Sequence, residues 1–106
     1  MIKYNKLIRD NIPGIIEKSG KKYDIEVLND TDYLYYLNKK LNEEVLEYLE
    51  SNETEELADL EEVIRAILDA KGVSNEEFEN IRLSKVKKNG AFKKKLLLKA
   101  TYEDEK

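Results

Sequence analysis

Residues Leu41 to Leu68 read L-N-E-E-V-L-E-Y-L-E-S-N-E-T-E-E-L-A-D-L-E-E-V-I-R-A-I-L. The stretch predicts two helices separated by a polar break at Ser51-Asn52-Glu53-Thr54. No Lys or Arg occurs between Leu41 and Ile64, although Glu and Asp recur throughout. In the first helix Leu37, Leu41 and Tyr48 form an apolar stripe at helical steps, and Glu44 occupies the missing step. In the second, Leu60, Val63 and Ile67 form a similar stripe, which Glu56 extends backwards. Each of these acids has a companion one turn on, Glu47 and Asp59. If the helices fold back antiparallel, Glu44/Asp59 and Glu47/Glu56 share one midpoint, between Ser51 and Asn52, so all four carboxylates lie in one layer.

Such a layer needs neutralising. Two unit charges about 5 Å apart repel by roughly 3 kcal/mol at an effective dielectric near 20. A domain stable by about 5–15 kcal/mol cannot hold several such pairs uncompensated. Protons or cations must balance them, and an all-oxygen donor set suits Mg²⁺ or Mn²⁺. The competing reading is a solvated acidic face, since Glu is a good helix former and E-x-x-E arises by chance. Two such pairs intruding on apolar stripes in mirrored register favour the metal site.

The remaining elements are shorter. Pro13 stands at the start of an expected helix running to Ser19 and stopping at Gly20. Tyr23 to Val27 alternates apolar and polar residues, the pattern of a half-buried strand. Asn29, Asp30, Thr31 and Asp32 offer N-caps for a first long helix from about Asp32 to Glu50. A second is expected from Thr54 to Ala70, ending at Gly72. Ser74-Asn75-Glu76-Glu77 forms a capping box that opens a further helix, with Phe78, Ile81 and Val86 on one side and its end at Asn89-Gly90. Ala91 to Ala100 is a candidate terminal strand beside Tyr23–Val27. The expected fold is therefore mainly all-α: a helical hairpin plus a third helix, assembling into a four-helix-bundle-type oligomer with short terminal strands.

Composition narrows the chemistry. The chain of 106 residues has no Cys and no His, a net charge of −4, and 40% charged residues. A Ser-His-Asp triad, a cysteine nucleophile and the usual zinc sites are excluded. Length supports a single domain spanning residues 1–106. The acidic balance argues against general nucleic-acid binding. The start M-I-K-Y-N-K-L-I-R-D lacks the apolar run of a secretory signal, and no stretch is long and apolar enough to span a membrane, so a cytoplasmic setting is expected.

From Arg82 to Lys99 the charge reverses: eight Lys and Arg occur with no acid among them, ahead of the acidic tail Glu103-Asp104-Glu105. Read blandly, this is a solvated basic face. Read functionally, it supplies phosphate-reaching cations. Lys6 and Arg9 could likewise reach a phosphate together, although composition alone favours pairing of Arg9 with a near neighbour such as Asp10. Tyr33, Tyr35 and Tyr36 could stack on a nucleobase, but are read first as packing residues. A divalent metal on carboxylates together with Lys and Arg makes the two halves of a polyphosphate site, which favours hydrolytic attack at phosphorus.

Glu43-Glu44-x-x-Glu47, followed by Glu55-Glu56-Leu57-Ala58-Asp59-Leu60-x-Glu62-Val63, resembles the MazG-like all-α NTP pyrophosphohydrolases, the superfamily that includes phosphoribosyl-ATP pyrophosphohydrolase. The opening K-L-I-R-D-N-I-P (residues 6–13) and the closing K-K-N-G-A-F-K-K-K-L-L-L (residues 87–98) resemble a small single-domain branch of it. The resemblance implies cleavage of a nucleoside triphosphate to monophosphate and pyrophosphate with Mg²⁺, including house-cleaning of non-canonical nucleotides. It places Glu44, Glu47, Glu56 and Asp59 as metal ligands and catalytic residues. Lys6, Arg9, Arg82, Lys85 and Lys88 become substrate contacts by charge and position. Glu43 or Glu62 is a candidate base or outer ligand, Glu43 ranking lower because it lies opposite the apolar stripe. Asn89 and Ala91 stand where the branch's R-G-G-F-like pattern has Arg and Gly. The resemblance also implies a homo-oligomer, a dimer or tetramer, whose site draws cations from a neighbouring subunit. The rival readings are phosphoribosyl-ATP hydrolysis in histidine synthesis and a non-enzymatic helical module that docks a basic partner.

Overall fold

The computed structural model describes residues 1–104, all of whose regular structure is helical: α1 (Ile12–Lys18), α2 (Asp30–Ser51), α3 (Thr54–Ala70) and α4 (Asn75–Asn89). The chain divides into two compact units, Met1–Asn75 and the residues from Glu76 onward. The first holds the hairpin of α2 packed on α3. The second holds α4 and the segment after it.

The hairpin is made by two residues. Ser51 ends α2 and Thr54 begins α3, leaving only Asn52 and Glu53 between them. Asn52 takes a left-handed backbone (φ 57°), which Asn tolerates better than most residues, and its N–H donates to the Tyr48 carbonyl at 2.7 Å. The Glu53 N–H donates to Ser51 Oγ at 3.1 Å. A connection this short leaves antiparallel packing as the available arrangement.

The helix ends follow their capping residues. The side chain of Asn29 accepts the Asp32 N–H at 2.8 Å, so α2 starts two residues before the expected Asp32. At the far end of α3, Gly72 adopts φ 72°, the Val73 N–H donates to the Leu68 carbonyl at 2.9 Å, and the Gly72 N–H donates to the Asp69 carbonyl at 3.1 Å. This is a Schellman closure, and it needs the positive φ that glycine adopts without strain.

Leu37, Val63 and Leu68 are the buried hydrophobic residues of the described chain, with Leu37 only 2% exposed. Burying a leucine fully is worth about 1.5–3 kcal/mol. Leu41, Tyr48, Leu60 and Ile67 of the two stripes are half-buried. Leu68, one position past Ile67, is buried beyond the expected stripe. The fourth buried residue is Glu44, at 6% exposure.

Two expectations are corrected. Neither Tyr23–Val27 nor Ala91–Ala100 is a strand. Alternation gives a segment an apolar face but no partner for its backbone groups, and Tyr23, Ile25 and Val27 are all exposed. The later segment bends at residues 92–94, and Lys95 takes a left-handed φ of 59°, which interrupts any extended run. Helix α4 begins at Asn75, directly after Ser74 of the capping box, and buries no residue. Its apolar side chains Phe78, Ile81 and Val86 are exposed. Of the acidic tail, Glu105 lies outside the described residues.

Candidate metal centre

The mirrored register of the hairpin brings Glu44 of α2 to Glu56 and Asp59 of α3. Each offers a carboxylate oxygen, and these atoms all lie within 4.8 Å of one another. Glu47, one turn after Glu44, is exposed, and its charge bears on both Glu44 and Glu56. The four residues of the expected layer are therefore neighbours, with Glu44 innermost.

The electrostatics record the crowding. The Glu44 carboxyl is held above the usual glutamate value of 4.5, first by burial, then by the hydrogen bond and charge of Glu47, with Asp59 adding to the rise and Lys40 opposing it. Glu56 is also raised, by partial burial first and then by the charges of Glu47 and Asp59. Both shifts have the sign expected for carboxylates forced together in a partly dry site.

Two cations meet this layer. Arg9 Nη2 donates to Asp59 Oδ1 at 2.7 Å, so Arg9 does not pair with Asp10 as composition suggested. The nearest acid in sequence loses to one presented by α3. Lys40 Nζ lies 3.5 Å from Glu44 Oε1 and 3.6 Å from Glu43 Oε1, and Lys6 Nζ lies 3.5 Å from the same Glu43 oxygen. Lys40 has no role among the expectations from sequence, because it stands just outside the cation-free stretch that begins one residue later. The signal was present: Lys40 precedes Glu44 by four residues, the spacing of a helical ion pair.

Glu43 is also better placed than its position opposite the apolar stripe implied. It is half-buried beside Lys6 and Lys40, whereas Glu62 is exposed. Lys6 and Arg9, expected as substrate contacts, both stand against the acidic hairpin. The other three lie in the second unit. Arg82 forms a fork with Glu79 on its own helix, its Nε donating to Oε2 at 3.1 Å. Lys85 and Lys88 are exposed and line an open concavity with Asn80, Ile81 and Ser84. Tyr35 and Tyr36 pack edge to face with ring centres 5.2 Å apart, and Lys39 Nζ sits 5.1 Å from one ring centre and 5.8 Å from the other.

Compared with protein-family models, with curated proteins and with solved structures, the chain matches none.

The carboxylates suit a hard divalent cation in number and spacing. Mg²⁺ binds oxygens at about 2.0–2.1 Å, so oxygens on opposite sides of one ion lie about 4 Å apart. The three oxygens, all within 4.8 Å of one another, are on that scale. A second observation concerns Glu44 alone: its buried Oε2 has no hydrogen-bond partner. A buried carboxylate oxygen normally finds a donor, and leaving it without one costs about 1–3 kcal/mol or more. On both Glu44 and Asp59, a cation takes one oxygen and the second remains for a ligand. Among the described residues, no helix is long and apolar enough to cross a membrane.

Proposed function

We propose that the protein is a Mg²⁺-dependent nucleoside triphosphate pyrophosphohydrolase, releasing a nucleoside monophosphate and pyrophosphate, with Mn²⁺ as an alternative ion. The observation that carries this reading is the convergence of Glu44, Glu56 and Asp59, together with a buried oxygen of Glu44 that has no protein donor. In this reading Glu44, Glu56 and Asp59 hold the metal, and Glu47 is the fourth ligand, entering from the exposed side. A bound divalent ion would supply charge stabilisation at the phosphoryl oxygens and an activated water.

The chain's own residues do the rest. Lys40 and Arg9 offset part of the carboxylate charge, so the four acids are tolerated in one layer before a ligand arrives. Arg9 makes its contact from an exposed position, within reach of phosphate oxygens. Its planar guanidinium suits two oxygens at once, which a lysine would not. Glu43 keeps Lys6 and Lys40 beside the layer.

Assembly belongs to the same proposal. Leu46 (57% exposed), Leu49 (62%) and Leu57 (42%) leave apolar surface on the hairpin. Leu46 and Leu57 are equidistant from the turn, so they fall at one height of the antiparallel pair. A second copy laying its own hairpin there would complete a four-helix bundle, the arrangement in which polar-striped helical pairs bury their remaining apolar side chains.

The test is a panel of canonical and modified NTPs and dNTPs, with phosphoribosyl-ATP included, incubated with Mg²⁺ and assayed for pyrophosphate. Release from at least one nucleotide, abolished by chelator and by Glu56→Gln, is the expected result. Release from phosphoribosyl-ATP alone would assign the histidine-pathway reaction. No release from any member would reject the enzymatic reading and leave the acidic hairpin as a docking surface.

A further inference from the structure

We propose that a cavity between the N-terminal segment and α2 is an anion subsite for a phosphoryl or pyrophosphoryl group. The cavity has a volume of about 150 Å³ and is lined by Asn5, Lys6, Leu7, Tyr36, Lys39, Lys40 and Glu43. Three of these residues are lysines and one is a glutamate. That volume equals roughly five waters at about 30 Å³ each, room for one or two phosphoryl groups.

The lysines are gathered by specific contacts rather than by chance of surface position. Lys6 and Lys40 approach the same oxygen of Glu43, at 3.5 and 3.6 Å. Lys40 also lies 3.5 Å from Glu44 Oε1, so Lys6 and Lys40 together meet two carboxylates. Lys39 has no carboxylate partner among the described residues, its charge resting over the rings of Tyr35 and Tyr36. An aromatic face orients a cation without cancelling it. Against Glu43 and Glu44 the three lysines leave one positive charge in excess, that of Lys39, with Asn5 and Tyr36 in the wall of the recess.

The cavity also adjoins the carboxylate layer through Lys40, which touches both Glu43 and Glu44. A cation-rich recess one side chain from a metal-type carboxylate layer is complementary to a phosphate chain, whose charge continues beyond the atom under attack. The shared chemistry is the phosphoryl dianion. Its source is either the tail of a bound nucleotide, which rests on the pyrophosphohydrolase reading, or free pyrophosphate, which does not.

Binding is measured first without metal or turnover. The full chain is titrated with inorganic pyrophosphate in chelator by calorimetry, beside Lys39→Gln, Lys6→Gln and Lys94→Gln. Wild type binds; Lys39→Gln and Lys6→Gln weaken binding roughly 1.5- to 5-fold, the order of one lost exposed ion pair; Lys94→Gln, an equal charge change in the second unit, binds as wild type. Added salt weakens binding to wild type more than to Lys39→Gln. Absence of binding, or equal loss in Lys94→Gln and Lys39→Gln, overturns the subsite. Lys39 is exposed, so its substitution leaves folding intact. Kinetics with a hydrolysed nucleotide then identify the source. Competition by pyrophosphate together with a raised KM in Lys39→Gln assigns the nucleotide tail, whereas pyrophosphate that alters kcat without competing assigns a free anion. A chain that binds pyrophosphate as expected yet hydrolyses nothing rejects the reaction and keeps the subsite, and the reverse pattern rejects the subsite alone.

Discussion

The guanidinium of Arg9 donates to Oδ1 of Asp59 at 2.7 Å, joining residues fifty positions apart. The contact ties the segment before α1 to the acidic face of α3. It also sets Arg9 in competition with any cation that uses Asp59, because the same charge that offsets the carboxylate repels a metal.

Arg9→Gln should therefore tighten Mg²⁺ binding while impairing turnover. The pair is exposed, so its removal changes the local electrostatics by about 0.2–1 kcal/mol, or roughly 1.5- to 5-fold in metal affinity. Calorimetric titration with Mg²⁺ checks the first part and kcat/KM for the best nucleotide checks the second. Weaker Mg²⁺ binding in the variant would show that Arg9 supports the metal rather than competing with it.

Replacing Glu44 by leucine separates a structural from a functional role. The carboxylate is buried with one oxygen lacking a donor, and an apolar residue of similar size removes that cost. Glu44→Leu should raise the metal-free melting temperature by several degrees, since about 1 kcal/mol shifts a domain of this size by roughly 4–8 °C. It should also abolish Mg²⁺ stabilisation and pyrophosphate release. A lower melting temperature in the absence of metal would mean that the acid holds the fold together.

The pH dependence follows from the raised carboxyl of Glu44. Above 4.5 the folded protein retains a proton that the unfolded chain has lost, so stability falls as pH climbs from 4.5 through the higher folded value. In chelator, wild type should lose melting temperature relative to Glu44→Gln across that window and show no further relative loss above it. With Mg²⁺ the trend reverses, because ligands must be ionised and metal stabilisation grows with pH. A constant difference between the two proteins at all pH values would contradict this account of Glu44.

Leu46 and Leu49 test assembly. Leu49→Glu should shift light-scattering mass from oligomer to monomer, while the outward position of the side chain leaves helicity unchanged by circular dichroism. A wild-type monomer at micromolar concentration would remove the second copy from the proposal.

Much of the hairpin was legible because local rules and long-range packing agree there. Asn52 and Glu53 form a turn too short for anything but antiparallel return, and the displaced stripe positions of Glu44 and Glu56 marked the carboxylate layer. Gly72 and Asn29 announced helix ends through backbone and capping chemistry that needs no tertiary context. The partner of Arg9 was not legible, because its choice between Asp10 and Asp59 depends on how the N-terminal segment crosses the hairpin. The same crossing hides the cavity, since Lys6 is more than thirty residues from Lys39 and Lys40. Tyr23–Val27 misled for the complementary reason: alternation describes one segment, and a strand requires two. The burial of Leu68 beside Ile67 shows a helical stripe wider than its periodic positions alone.

Anomalous diffraction from crystals grown with Mn²⁺ addresses the carboxylate layer most directly. One or more peaks coordinated by Glu44, Glu56 and Asp59, and lost in Glu56→Gln, are the expected result. Mn²⁺ bound only elsewhere on the chain, or an unchanged peak in Glu56→Gln, would contradict the assignment of these residues as a metal centre.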